Sequence, residues 1–231
     1  MTGARTLLAL ACSAYLVLTS AGPAAALGVS PILLELSARQ PTRVLEVSNP
    51  GDQVVTVQLR LFAWSGGGTE ERYAPSQDVG FSPPMFELAP GKRQIVRLAI
   101  RNTPTQEMSY RLFVDQLDSP MTIGGVTMPV RMALPLFVTP ELQVPGLVDW
   151  RIQADETGPL LVARNSGGRR VRLTNLEAEG PAGLQSVAPG LAGYALAGQE
   201  RSWRLKAGGP LPRAVRALTE QGPISAQIGQ D

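Results

Sequence analysis

The stretch GVTMPVRMALPLFVTP, residues 125–140, decides how the chain is read. Its even positions, Val126, Met128, Val130, Met132, Leu134, Leu136 and Val138, form an unbroken apolar row, and its odd positions are mixed. A period of two over this length predicts one long β-strand with one oily face. Pro129 and Pro135 lie inside it. Proline brings no N–H to a ladder, so the strand is expected at a sheet edge or a bulge. Two readings follow. The row is the inward face of an ordinary core strand, or it is an unpaired edge kept available to enter another protein's sheet.

Working outward, the flanking segments carry the same all-β signature. Residues 54–64 alternate, with Val55, Val57, Leu59, Leu61 and Ala63 on one face. The turn Asn49-Pro50-Gly51-Asp52 precedes them. Residues 27–36 are expected as one first strand, and 43–49 as a second. Residues 81–88 are expected as a short extended piece, because their prolines exclude helix. In 94–101 the inward set is read as Ile95 and then Leu98 and Ile100, which implies a bulge near Arg97. Residues 110–117 complete seven strands before Pro140, a pattern that suggests an immunoglobulin-like sandwich. Glycine (24) and proline (20) are abundant, as short strands and turns require.

Beyond a linker at 140–145 the style repeats with less oil. Strands are expected at 149–154, 159–165, 171–179, 193–196, 200–206 and 214–220, and 224–231 reads as a last weak strand or a frayed tail. The expected division is a leader at 1–26, an N-terminal sandwich at 27–140 and a smaller C-terminal one at 141–231. The leader reads as a secretory signal: Arg5, an apolar run over 7–18, and Ala24-Ala25-Ala26 as a cleavage site. Export with cleavage after Ala26 removes the single cysteine, Cys12, and one of 21 basic residues against 19 acidic ones. The mature chain then has neither cysteine nor histidine. Disulfides, thiol chemistry and the commonest general base are excluded. Near-neutral charge gives no reason to expect nucleic acid.

No nucleophile elbow or phosphate loop is present, and Gly66-Gly67-Gly68 reads as a flexible loop rather than a phosphate cradle. Carboxylates are dispersed, and aromatics, at 5%, are too few and scattered for a sugar platform. Asp115, near Arg111 in an apolar strand, reads as an ion pair or a solvent-facing charge. No motif points to catalysis, a cofactor, a metal or a small-molecule substrate.

Several stretches together resemble the periplasmic chaperones of the chaperone–usher pathway, which assist assembly of pili (fimbriae). They are VSPILLEL (29–36), LEVSNPGDQVVTVQLRLFAW (45–64), SPPMFELAPGKRQIVRL (82–98), YRLFVDQL (110–117) and VRMALPLFVTP (130–140). The resemblance implies two immunoglobulin-like sandwiches set at an angle around a cleft, a periplasmic location, and no enzymatic activity. It also implies that the long edge strand is lent to a pilin subunit lacking its last strand, with delivery to an outer-membrane usher. The lent residues would be Val126, Met128, Val130 and Met132, with Leu134. The family commonly holds the client's C-terminal carboxylate with two basic residues in the cleft. Leu33 and Ala133 stand at those places here, leaving Arg131 as a candidate anchor or as a solvated edge charge. The alternative function is an exported structural sandwich that uses the same strand for a permanent partner or a homodimer. Self-association of the free protein is a further expectation.

Overall fold

The structure, a computed structural model, describes residues 27–117, 122–123, 126–127, 130–181 and 183–229. Its organising strand is β4 (Val55–Ser65), whose Val55, Val57, Leu59 and Leu61 are buried while the intervening side chains are half-buried, as period-two alternation requires. It takes its place in a sheet running β2 (Leu34–Ser37), β12 (Arg131–Thr139), β9 (Met108–Gln116), β4, β5 (Arg72–Pro75), with β7 (Met85–Leu88) also against β4. The facing sheet runs β1 (Gly28–Ser30), β3 (Thr42–Ser48), β8 (Arg93–Ile100), β6 (Val79–Ser82). Between them Leu45, Val47, Val96 and Leu98 meet Val57, Leu112 and Leu136, all at 0% exposure. Each such side chain contributes roughly 1.5–3 kcal/mol by leaving water.

Four details differ from the sequence reading. The expected first strand divides at Pro31 into β1 on one sheet and β2 on the other. The piece 81–88 divides likewise at Pro83-Pro84 into β6 and β7. At both places a residue without an N–H ends one ladder before the chain crosses to the next. In β8 the register against β3 is unbroken from Arg93 to Ala99, so there is no bulge. Val96 and Leu98 point inward and Ile95 is 39% exposed. Finally, the long strand expected over 125–140 is divided. Val126–Thr127 (β11) pairs back on Thr122–Ile123 (β10), and β12 begins at Arg131.

The strands from Val148 onward form a second sandwich that shares no sheet with the first. One layer is β13 (Val148–Asp155), β14 (Gly158–Asn165), β17 (Glu200–Arg204), and the other is β16 (Gly183–Ala195), β15 (Val171–Gly180), β18 (Ala214–Thr219), β19 (Gly222–Gln227). Leu161, Leu173, Leu176 and Val215 fill the space with Trp150 stacked on Trp203, ring centroids 5.9 Å apart. Strand β16 is far longer than the expected 193–196, because bulges let a Gly- and Pro-containing segment keep pairing with β15. Asn175 in β15 takes a φ of 49° there and accepts the Gly190 N–H at 2.9 Å. The C-terminal segment is a paired edge strand, β19, rather than a frayed tail.

Candidate partner-binding edge and the interdomain contact

The two flanks of β12 are unequal. Along its whole length it pairs antiparallel with β9, from Arg131↔Asp115 to Val138↔Met108. On the other side, β2 pairs with it only from Leu136 to Thr139. Among the described residues no strand lies against that side between Arg131 and Pro135. The Gln116 N–H donates to the Val130 carbonyl at 2.9 Å. Antiparallel bonding alternates, so the even residues of β12 bond to β9, and the N–H and C=O groups of Arg131 and Ala133 face the open flank. Pro135 falls on that same outward phase, so its missing N–H costs no bond to β9. This is the physical reason the strand tolerates a proline.

The apolar row divides in the same place. Leu136 and Val138 are buried in the N-terminal core, and so is Leu134, at 5% exposure. Leu134 is therefore a core residue, because its side chain already fills the space between this molecule's own sheets. Met132 is half-buried and packs against the core, and Val130 is half-buried. Met128 lies outside the described residues, and of Val126 only the backbone is described.

The odd face of β12 carries Arg131, Ala133, Pro135 and Phe137, and of these Phe137 reaches the second sandwich. Arg131 is 57% exposed at its side chain and its Nε donates to Asp115 Oδ1 at 2.5 Å. Its guanidinium lies 5.2 Å from the Phe113 ring centroid. Asp115 also accepts from Arg60 at 2.7 Å. One carboxylate thus serves two guanidiniums, and the cluster keeps a positive charge. Asp115 resolves as an ion pair with Arg60 and Arg131, whereas Arg111 bonds Glu71 at 3.1 Å and lies 3.7 Å over the Trp64 ring. Ala133 is exposed and Leu33 is 36% exposed, and neither has a group that binds an anion.

Deeper along the same face, Trp64 and Phe137 meet Tyr194 and Leu196 of the second sandwich in a separate buried cluster. Arg170 seals it. Its guanidinium sits 3.7 Å over Phe137, its Nη1 donates to Glu107 Oε2 at 2.6 Å, and its N–H donates to Glu107 Oε1 at 2.8 Å. Its Nη2 bonds Glu35. The Glu107 side chain is fully buried, and that desolvation holds its carboxyl above the ordinary range even with Arg170 pulling the other way. Gly66-Gly67-Gly68 is docked rather than free. The Gly66 N–H donates to Gln199 Oε1 at 2.5 Å and the Gly68 carbonyl accepts the Ser202 N–H at 3.0 Å. A Cβ at residue 66 would come within 2.8 Å of the Glu200 carbonyl oxygen. Sequence reading missed Glu107, Arg170, Trp64, Phe137 and Tyr194, because the contacts among them span the two sandwiches. The glycine run was the one local signal of close approach.

The N-terminal half of the chain, residues 26–143, matches the family model for the pili and flagellar-assembly chaperone, PapD N-terminal domain. The chain belongs to this family of pilus assembly chaperones of the chaperone–usher type. Comparison with curated proteins finds no match. Among solved structures it is similar to a chain of the CsuC–CsuE chaperone–tip adhesion subunit pre-assembly complex from archaic chaperone-usher Csu pili of Acinetobacter baumannii. The TM-score is 0.71 at 22% identity, covering 88% of this chain and 98% of that one. It is also similar to a chain of the Salmonella enterica SafA pilin–SafB chaperone complex, with TM-score 0.63, 15% identity, and 88% and 97% coverage. The E. coli chaperone DraB gives 0.61 at 17% identity, with 89% and 97% coverage. These likenesses extend the all-β, two-domain fold over nearly the whole chain.

Proposed function

We propose that this protein is a periplasmic chaperone that stabilises pilin subunits by lending them the open start of β12, and that it hands them to an outer-membrane usher. Residues 1–26 serve as the cleaved export signal on this reading. The observation that carries it is the one-sided pairing of β12 between Arg131 and Pro135. Outward main-chain groups there offer a ladder to an incoming edge. The side chains of Val126, Met128, Val130 and Met132 supply apolar anchors. Two of the four are methionines, whose flexible thioethers adapt to differing grooves. Leu134 is left out of the lent set because it fills this molecule's own core. Arg131 is the proposed carboxylate anchor, since the Arg60–Asp115–Arg131 cluster retains positive charge at an exposed guanidinium.

The test is co-expression with a pilin-like subunit that aggregates by itself. The wild-type chain should hold it soluble in a one-to-one complex and release it on assembly. Val130→Asp should abolish the complex with the chaperone still folded. A soluble complex that survives Val130→Asp, or a chain that remains in the finished fibre, would refute the proposal.

A further inference from the structure

The sheet facing away from β12 carries a second feature. Across β3, β8 and β6 runs an open groove of about 850 Å³. Its lining contains Arg43, Arg97 and Arg101 and no carboxylate. Arg43 shares the inward phase of Leu45 and Val47 and bonds the Glu35 carbonyl of the opposite sheet and the Gln40 side chain, so the outward guanidiniums of this groove are those of Arg97 and Arg101. Among the described residues Arg97 and Arg101 have no ion-pair partner. The neighbouring Arg93 differs, with Glu46 at 3.4 Å. The groove floor is small, Gly80 opposite Ala99, and Val44 beside it is 48% exposed. β6 is the last strand of its sheet, and no described strand covers its outer edge. The Arg101 N–H donates to the Asp78 carbonyl at 2.9 Å, so alternation turns the N–H and C=O of Phe81 toward that edge.

We propose that this face docks an acidic protein segment in extended conformation. Its main chain would run along the β6 edge, and its carboxylates would meet Arg97 and Arg101. Unpaired guanidiniums around a narrow, small-floored groove suit a single chain bearing carboxylates. A bilayer surface would need protruding apolar groups instead. The face lies on the opposite sheet from β12, so a bound client leaves it accessible.

Fluorescence anisotropy with a labelled alternating Glu-Val dodecapeptide tests this on the full chain. Arg97→Glu combined with Arg101→Glu should weaken binding at least tenfold, the ~1.4 kcal/mol that two charge contacts supply. Arg164→Glu, an exposed charge on the second sandwich, should change it less than twofold. Val130→Asp should leave it intact, which separates this site from the β12 edge. Should the double variant melt early, Arg97→Gln with Arg101→Gln is read in its place. An equal loss in Arg164→Glu would overturn the proposal. So would loss confined to Val130→Asp, or displacement of the peptide by phosphatidylglycerol vesicles.

Discussion

Replacing Arg170 by methionine keeps an unbranched side chain over Phe137 and removes the guanidinium with its bonds to Glu107 and Glu35. Fully buried Glu107 then retains the backbone N–H of residue 170 and the Arg169 guanidinium at 4.0 Å, and loses its closer counter-ion. Stranding one partner of a buried pair costs about 3–5 kcal/mol. Protonation offers a cheaper way out. From an ordinary carboxyl value of 4.5, taking up a proton at pH 7 costs about 3.4 kcal/mol, at ~1.36 kcal/mol per unit. The penalty is therefore capped near ~3.4 kcal/mol at pH 7, about 2 at pH 6 and below 1 at pH 5. The sign follows from proton counts. In the variant the folded state holds a proton that the unfolded state has released, so stability falls as pH rises. Urea unfolding at the three pH values, followed by circular dichroism and tryptophan fluorescence, measures it. Arg170→Met with Glu107→Gln should recover most of the loss and flatten the pH dependence. A cost under about 1 kcal/mol at pH 7 with no pH slope would refute the reasoning. Strict additivity of the two changes would refute it as well.

Two further outcomes are expected. Gly66→Val should lower stability by about 1–3 kcal/mol, because its Cβ meets the Glu200 carbonyl oxygen at 2.8 Å. Calorimetry should show this as a lower melting temperature, and an unchanged one would mean that the loop is not clamped. Leu136→Ala should cost about 2–5 kcal/mol and Val130→Ala under about 1, since only the first lies wholly in the core. Equal costs by urea titration would show that the row is not divided.

How much of this was legible in the sequence depended on range. The alternation of Val55–Leu61 and the end of the apolar row, Leu134 to Val138, are local signals that sit in the structure as read, whereas the single strand expected over 125–140 is divided before Arg131. The phase of β8 was misread because Ile95 and Val96 are adjacent and equally oily, and only packing against β3 selects Val96. The short β5 went unseen because its side chains are all exposed and carry no alternation. The clamp between the sandwiches was invisible for another reason. Glu107 and Arg170 are separated by 63 residues, and nothing local marks either as buried. Gly66 was read as freedom when it is a point of close backbone approach.

Pro135 has a consequence for measurement along the chain. Immediately after it, the vacant side of β12 is taken by β2, starting at Leu136. A visiting strand therefore meets a buffer stop: no donor at 135, and an occupied berth beyond. Its alignment would be gauged from that fixed end, so lengthening or shortening the segment before Arg131 should alter how far a visitor extends without shifting where it halts.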